Sequence, residues 1–261
     1  MLSLPLIRRH LRTHTLGQQI EYFRSLASTN TTAWEINGHE CANGTVILTD
    51  HQTAGKGRGQ HVWVATPGKS LTFSVILKPA TDIQTTGWYS ILTGVAVAKA
   101  LEGLDLSVGL KWPNDIVWEG KKLGGILCES KIRERKIQAI VLGIGLNVNE
   151  SKADFSTTAQ ATAASLFTLS NQIQVREVIL GKILNRLEEK LDQFYQYGPE
   201  PIQASWLRYC SHFNKIIAFS RAGKTLRGTF TGLGLNGEAN LDIEGEVVQF
   251  NAGEISTVYI A

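Results

Sequence analysis

The feature that most constrains the fold is a change of pattern near residue 212. Before it, apolar residues at helical spacing predict helices over about 88–104, 175–197 and 200–210, interleaved with short apolar strands. After Asn214 the helical spacing stops, and alternating runs such as KIIAFS and TLRGTF are separated by glycine-bearing turns. About five short strands in this tail suggest a small barrel. The chain is therefore predicted to have an α+β part, 1–212, and an all-β part, 213–261.

The first part is predicted to form a mixed β-sheet core with flanking helices. A helix should open at Ser28-Thr29-Asn30, whose side chains are of the capping type, and run to about Asn37. The predicted strands lie near 20–26, 45–49, 70–77, 107–112, 115–118, 123–131 and 136–144. A chain of 261 residues with 43% hydrophobic residues can bury a large core. No apolar run approaches the roughly 20 residues that a membrane helix needs, so we expect no membrane partner.

Charge and cysteine usage narrow the class of protein. The first 20 residues carry Arg8, Arg9 and Arg12 without an acid, and the rest of the chain is balanced, so nothing demands a nucleic-acid partner. The basic start is either a short helix packed on the core or an organelle presequence. The three cysteines are isolated and odd in number, which disfavours disulfides or a cysteine zinc site and suggests a reducing cytoplasm.

A glycine-rich loop from Gln52 to Trp63 is the strongest single motif. Gly55, Gly57 and Gly59 alternate with Lys56 and Arg58. Glycines allow backbone N–H groups to approach a ligand closely, and the cations supply charge for a phosphate or carboxylate. The loop has neither the Walker spacing nor the Gly-x-Gly-x-x-Gly pattern, so spacing alone leaves an ordinary surface loop equally open.

A second motif joins Lys111-Trp-Pro-Asn-Asp115 to a following run, KKLGGILCE. Proline and Asn-Asp predict a tight bend between strands, and the paired glycines thin the next strand so that a ligand can approach. The alternative is a charged turn with edge-strand lysines. Two lysines, an asparagine and an aspartate at one bend instead favour a nucleotide with a metal ion.

A third motif, Gly143-Ile-Gly-Leu-Asn147, follows a buried strand and is weak alone. His10 and His14 have no carboxylate or cysteine nearby, so no metal ligands are assigned to the protein.

In this order and spacing the motifs resemble those of the biotin protein ligases, over about residues 20 to 261. The matching residues are Ser28-Thr29-Asn30, Gln52 with the Gly55-to-Trp63 loop, Lys111-to-Asp115, Lys122-to-Leu127 and Gly143-to-Asn147. The resemblance implies a core related to lipoyl ligases and class II synthetases, followed by a small SH3-like barrel. It also implies activation of biotin by ATP, with Mg²⁺, to biotinyl-5'-AMP and pyrophosphate, and transfer to a lysine of a biotin carboxyl carrier protein.

The resemblance also implies roles for individual residues. As catalytic residues it gives Lys122 and Arg58 on the carboxylate and α-phosphate, Lys111 on the phosphates, and Asp115 on the incoming lysine. The implied biotin-binding residues are Ser28, Thr29, Asn30, Gln52, Lys56, Gly57, Arg58, Lys122 and Gly124. The implied ATP-binding residues are Gly55, Arg58, Trp63, Lys111, Asn114, Lys122 and Asn147.

Two departures from the family pattern bear on these expectations. Lys56 stands where relatives often have arginine, a mild change if the residue acts through its backbone. Only about 20 residues precede the first predicted strand, too few for a DNA-binding winged helix, so we expect no operator binding. The alternatives are a lipoate or octanoate ligase, a DNA-binding regulator and a nucleotide-binding module without catalysis. A homodimer is left open.

Overall fold

The computed structural model describes residues 1–37, 41–79, 81–221 and 223–255, and the backbone of 258–260. The helices are α1 (Leu4–His10), α2 (Thr29–Asn37), α3 (Thr86–Glu102), α4 (Leu166–Ser170), α5 (Arg176–Tyr197) and α6 (Glu200–Tyr209). The first nine strands are β1 (Ile20–Phe23), β2 (Val46–Thr49), β3 (Gly55–Lys56), β4 (Val62–Trp63), β5 (Leu71–Leu77), β6 (Gly109–Lys111), β7 (Asp115–Trp118), β8 (Lys121–Arg133) and β9 (Lys136–Leu146). The last five are β10 (Ile216–Arg221), β11 (Lys224–Leu233), β12 (Ala239–Ile243), β13 (Glu246–Phe250) and β14 (Val258–Ile260).

A seven-stranded mixed sheet forms the centre of the first part. Its strand order is β1-β2-β5-β9-β8-β7-β6, with β1 parallel to β2 and every other pair antiparallel. Successive side chains of a strand point to opposite faces. Thus Val46 and Leu48 join the main core, whereas Ile47 packs with Ala33 of α2 on the other face. Both faces of the central strands are therefore covered, which explains why β5 is buried along its whole length.

Helices close the main core on one side of the sheet. Most of α3 is buried, because it packs between the sheet and both α5 and α6. The short helix α1 packs on α5 and buries Ile7, as one of the two interpretations of the basic start expected. A buried ion pair, Arg176 Nη2 to Asp50 Oδ1 at 2.9 Å, joins the start of α5 to the residue that follows β2.

The five strands after residue 215 form a second, antiparallel sheet in the order β13-β12-β11-β10-β14, compatible with an SH3-like barrel. Its β11–β12 turn packs against the first part. There Trp88 Nε1 donates to the Leu235 carbonyl at 2.8 Å, and Trp112 Nε1 donates to the Gly237 carbonyl at 3.1 Å. The predicted α+β core and all-β tail are confirmed. The proposed boundary near residue 212 falls between α6 and β10, and the division into two domains there stays a prediction.

Two stretches differ from the sequence predictions. The glycine-rich loop contains a two-residue hairpin, β3 with β4, where Gly55 pairs with Trp63. The segment from 152 to 170 holds two short 3-10 turns and α4, which hydrophobic periodicity could not reveal because the pieces are so short. Local hydrogen bonds form α4 instead, since Ser165 and Thr168 cap its start reciprocally.

Candidate active site

The predicted motifs meet around one cavity of about 260 Å³. It is bounded by the start of α2, the glycine-rich loop, the β6–β7 turn and the middle of β8 and β9. Its lining includes Ser28, Thr29, Asn30, Gln52, Lys56, Gly57, Arg58, His61, Val62, Trp63, Lys111, Trp112, Pro113, Asn114, Asp115, Lys122, Gly125, Ile126, Leu127, Gly143, Ile144 and Gly145. Residues far apart in sequence are thus brought to one place, as the resemblance implies.

One end of the cavity is polar and buried, because Thr29, Asn30 and Gln52 are all buried there. Gln52 Oε1 accepts from the Thr29 backbone N–H at 2.8 Å and lies 3.1 Å from Thr29 Oγ1. Ser74 Oγ lies 2.7 Å from both Thr29 Oγ1 and Asn30 Oδ1. Buried polar groups of this kind cost free energy unless they are paired, and here they are paired with one another.

The first glycine of the third motif, Gly143, is required by close packing. A Cβ at this position would overlap Asn30 Oδ1, so the glycine makes room for the amide of α2 against strand β9. Asn30 Nδ2 donates to Glu129 Oε2 at 2.8 Å, and Trp34 Nε1 donates to the same oxygen at 3.3 Å. The asparagine is therefore fixed from both sides.

The mouth of the cavity carries a cluster of charges. Asp115 Oδ1 lies 2.6 Å from Lys122 Nζ, and Asp115 Oδ2 lies 3.4 Å from Lys111 Nζ. Sheet register produces this arrangement: Lys111 is the cross-strand partner of Asp115, and Lys122 enters from β8. The Lys122 side chain is 43% exposed, so this cation is open to solvent and not buried. Three charges with a net of one positive charge suit an anionic ligand.

Arg58 joins the loop to the second sheet. Its guanidinium donates to the carbonyl oxygens of Ala252 and Ile255, the latter at 2.9 Å. Burial lowers the pKa of Arg58, and the negative charge of Asp115 opposes that shift. Arg58 and Asn114 also line a neighbouring cleft of about 560 Å³ between the two sheets. Arg58 therefore lies between the first cavity and this neighbouring cleft.

Trp63 lies across the sheet strands rather than in solvent. A Cβ on Gly145 would overlap its indole, and a Cβ on Gly125 would touch it at 3.7 Å. Its Nε1 is buried without a hydrogen-bond partner among the described residues. The glycines of the second and third motifs thus provide a flat surface for this ring, which packs directly on them.

Some predicted residues lie behind the lining. Gly124 packs against the Gly145 carbonyl, and its neighbour Gly125 faces the cavity instead. Gly55 packs against the backbone of Trp63 across the small hairpin. Asn147 Nδ2 donates to the Ala164 carbonyl at 2.9 Å, so this side chain braces the segment before α4. The binding roles implied for these three residues stay predictions.

The remaining predicted residues lie at the cavity itself. Lys56 and Gly57 line it from the loop, with the Lys56 side chain exposed. Asn114 Nδ2 donates to the Ile126 carbonyl at 2.7 Å, which fixes the bend to β8.

Sequence reasoning missed Ser74 and Glu129. Ser74 was detectable, because it stands as a buried hydroxyl within the apolar run LTFSVIL. Glu129 gave no such signal, since its role depends on contacts with α2.

Across the described ranges, no group of three or more His, Cys, Asp or Glu side chains is placed to hold a metal ion. In the same ranges, no helix is both long and apolar enough to span a bilayer.

A buried polar end beside a cluster of cations can hold a polar organic group and an anionic group at the same time. A model of the Biotin/lipoate A/B protein ligase family matches residues 22–147. The bifunctional ligase/repressor BirA of Bacillus spizizenii is 34% identical over 93% of this chain and 74% of its own length. The biotin--[acetyl-CoA-carboxylase] ligase of Mycobacterium tuberculosis is 29% identical over 96% and 95%.

The fold agrees with these matches. The biotin protein ligase from Aquifex aeolicus in complex with biotin and ATP superposes with a TM-score of 0.79 at 24% identity, covering 94% of this chain and all of that one. The chain belongs to the biotin protein ligases of the biotin/lipoate A/B family.

Proposed function

We propose that the protein is an ATP-dependent biotin protein ligase. It converts biotin and ATP to biotinyl-5'-AMP and pyrophosphate, then transfers the biotinyl group to one lysine of a biotin carboxyl carrier protein. The observation that carries the proposal is the buried polar end of the cavity beside a cation-lined mouth. The three free cysteines agree with a cytoplasmic location.

The polar end favours biotin over lipoate or octanoate. The ring of biotin carries a ureido group, with two N–H donors and a carbonyl acceptor, that can pair with Thr29 and Gln52. The ends of lipoate and octanoate are apolar, so they would form no hydrogen bonds with these side chains while excluding water from them. Sites built to hydrogen-bond a substrate reject analogues that lack the partner by several orders of magnitude.

The mouth is suited to the first reaction step. The carboxylate of biotin must attack the α-phosphate of ATP, so two anions have to approach each other. Lys122, Lys111 and Arg58 place three cations around this point, and positive charge held in position stabilises the negative charge of the transition state.

Mg²⁺ would enter with ATP. Asp115 and Asn114 are the side chains at the mouth that offer oxygen ligands, and this sparse set fits an ion shared with substrate phosphates. The ion would neutralise phosphate charge when bound.

In the second step a lysine amine of the carrier protein attacks the mixed anhydride and AMP leaves. Asp115 is placed to orient that amine and accept its proton, because its carboxylate faces the cavity and is held by both lysines. When Lys122 turns from Asp115 to a bound phosphate, the Asp115 carboxylate would become free to bind the amine.

The test uses the purified protein with a biotin-accepting domain, ATP and biotin. Mass spectrometry should find one biotinyl group on the acceptor lysine, dependent on ATP, and none on a Lys→Arg acceptor. Transfer of lipoate or octanoate without transfer of biotin would overturn the proposal in favour of the alternative.

A further inference from the structure

The two ends of the segment that carries the glycine-rich loop lie side by side. Residues 50–70 run from the end of β2 to the start of β5, and these strands are antiparallel neighbours with Thr49 opposite Thr72. The backbone N–H of Gly68 donates to the Asp50 carbonyl at 3.2 Å. Asp50 is therefore the entry stem of the loop, and residues 66–70 are its exit stem.

One buried guanidinium joins the two stems. Arg176, the first residue of α5, donates from Nη2 to Asp50 Oδ1 and from Nη1 to the Ser70 carbonyl, and both distances are 2.9 Å. Its side chain is only 8% exposed. A guanidinium holds its donors in one rigid plane, so these two hydrogen bonds fix the position of each stem relative to the other.

The entry stem is anchored independently of Arg176. Asp50 Oδ2 accepts from the Tyr22 hydroxyl on β1 and from the Leu2 backbone N–H, the latter at 3.3 Å. Both oxygens of the Asp50 carboxylate are thus hydrogen-bonded. Asp50 therefore holds Arg176 in place, and Arg176 in turn holds Ser70.

Between the stems, the loop supplies part of the cavity. Five of its residues line the cavity: Gln52, Lys56, Gly57, Arg58 and Trp63. Asp50, Ser70 and Arg176 do not. The alternating glycines allow the loop many conformations, and the entropy lost when a ligand selects one of them opposes binding. Fixed ends reduce this cost because fewer conformations remain to be lost.

We propose that Arg176 is a positioning residue that holds the two stems of the glycine-rich loop together and so presents the loop to biotin and ATP. It acts through Asp50 and Ser70 and does not touch either substrate. The inference rests on the proposed function, since it concerns the binding of these substrates by the loop.

Arg176→Lys separates the joining of the stems from the neutralisation of Asp50. Lysine keeps the positive charge, but its side chain is one bond shorter and ends in a single nitrogen, so it cannot hold both acceptors as the guanidinium does. Without ligands, we expect trypsin to cleave after the exposed Lys56 about tenfold faster than in the wild type, because a hydrogen bond to a charged group has been lost. Intact-mass spectra identify the fragments, and replacing arginine by lysine creates no new trypsin site.

Pyrophosphate release by the same full-length variant measures the effect on substrate binding. The KM for biotin should rise about tenfold while kcat stays within about threefold of wild type, since the stems contribute equally to binding the ground state and the transition state. A purely structural role would lower thermal stability without this split between KM and kcat.

Asp50→Asn makes the complementary change, because it removes the charge and keeps the hydrogen bonds. The new amide oxygen can accept from Arg176 Nη2, since arginine can only donate. Thermal stability should fall as the buried guanidinium loses its counter-charge, but cleavage after Lys56 and the KM for biotin should stay within about threefold of wild type. Arg186→Lys is the matched control on α5; its guanidinium pairs with Glu189 at 2.7 Å on the exposed surface, and the change should affect neither measurement.

Unchanged cleavage in folded Arg176→Lys, faster cleavage with an unchanged KM for biotin, or equal effects in Arg176→Lys and Asp50→Asn would each overturn the proposal. Should Arg176→Lys not fold, the double variant Arg176→Gln with Asp50→Asn replaces it, because a neutral amide pair leaves no buried charge and reaches only one stem. It must show the same faster cleavage and higher KM. A wild-type protein inactive with biotin would instead refute the proposed function, and the ligand-free cleavage would still test whether Arg176 joins the stems.

Discussion

The Lys122→Ala substitution separates catalysis from folding. Lys122 Nζ lies 2.6 Å from Asp115 Oδ1, but its side chain is 43% exposed. Solvent-exposed ion pairs contribute about 0.2–1 kcal/mol to stability, so unfolding should change by no more than about 1 kcal/mol. Removing one preorganised charge donor from a phosphoryl or acyl transition state costs about 3–4 kcal/mol. The exposure of Lys122 favours the lower end, which corresponds to a fall in kcat/KM of about 10²-fold.

The assay is initial-rate pyrophosphate release from ATP with biotin, together with a thermal unfolding curve for each variant. The matched control is Lys121→Ala, because Lys121 adjoins Lys122 on β8 and does not line the cavity. It should remain within threefold of wild type. A folded Lys122→Ala protein that also remains within threefold would show that Lys122 is an ordinary surface lysine with no part in catalysis.

Three further substitutions test Arg58, the surface under Trp63 and the buried His212. Arg58→Gly removes the guanidinium at the junction of the loop and the second sheet. Losing a charged hydrogen bond of about 1.5–3 kcal/mol should speed the release of biotinyl-AMP about 10- to 150-fold. Biotin attached to a bystander protein measures this release. Gly145→Ala forces Trp63 off the sheet and should lower kcat/KM about tenfold, an effect absent if the ring has no part in binding. His212 is fully buried, and burial lowers its pKa to about 4. Below pH 6.5 the histidine binds a proton in the unfolded chain but not in the folded protein. The free energy of unfolding therefore falls as the pH decreases from 6.5 toward 4. Between pH 7 and pH 4 the free energy of unfolding of His212→Phe should therefore fall by about 3 kcal/mol less than that of the wild type, as measured by denaturant unfolding.

If Arg58→Gly labels bystander proteins no more than the wild type does, Arg58 does not retain the adenylate. Equal acid losses in wild type and His212→Phe would show that another group controls the acid limb.

The sequence predicted the fold well where local pattern decides structure. Alternating apolar runs defined the strands of both sheets, and the bend at Pro113-Asn114 correctly joined Lys111 to Asp115. Those residues are cross-strand partners, so a correct hairpin brings them together without further information.

Contacts between distant elements could not be predicted in this way. Gly143 is a glycine because Asn30 of α2 needs its space, and Glu129 matters because α2 brings Asn30 and Trp34 to it. Arg58 carries a charge that suggested phosphate, but its contacts with the 252–255 turn depend on how the second sheet packs. A single sequence contains no sign of these neighbours.

The polar end of the cavity should select biotin over other carboxylic acids. The most direct measurement compares pyrophosphate release from ATP with biotin, lipoate and octanoate at matched concentrations. We expect kcat/KM for biotin to exceed the other two by at least about 10³-fold, because only biotin carries polar groups that can pair with Thr29 and Gln52. Equal or greater release with lipoate or octanoate would contradict it.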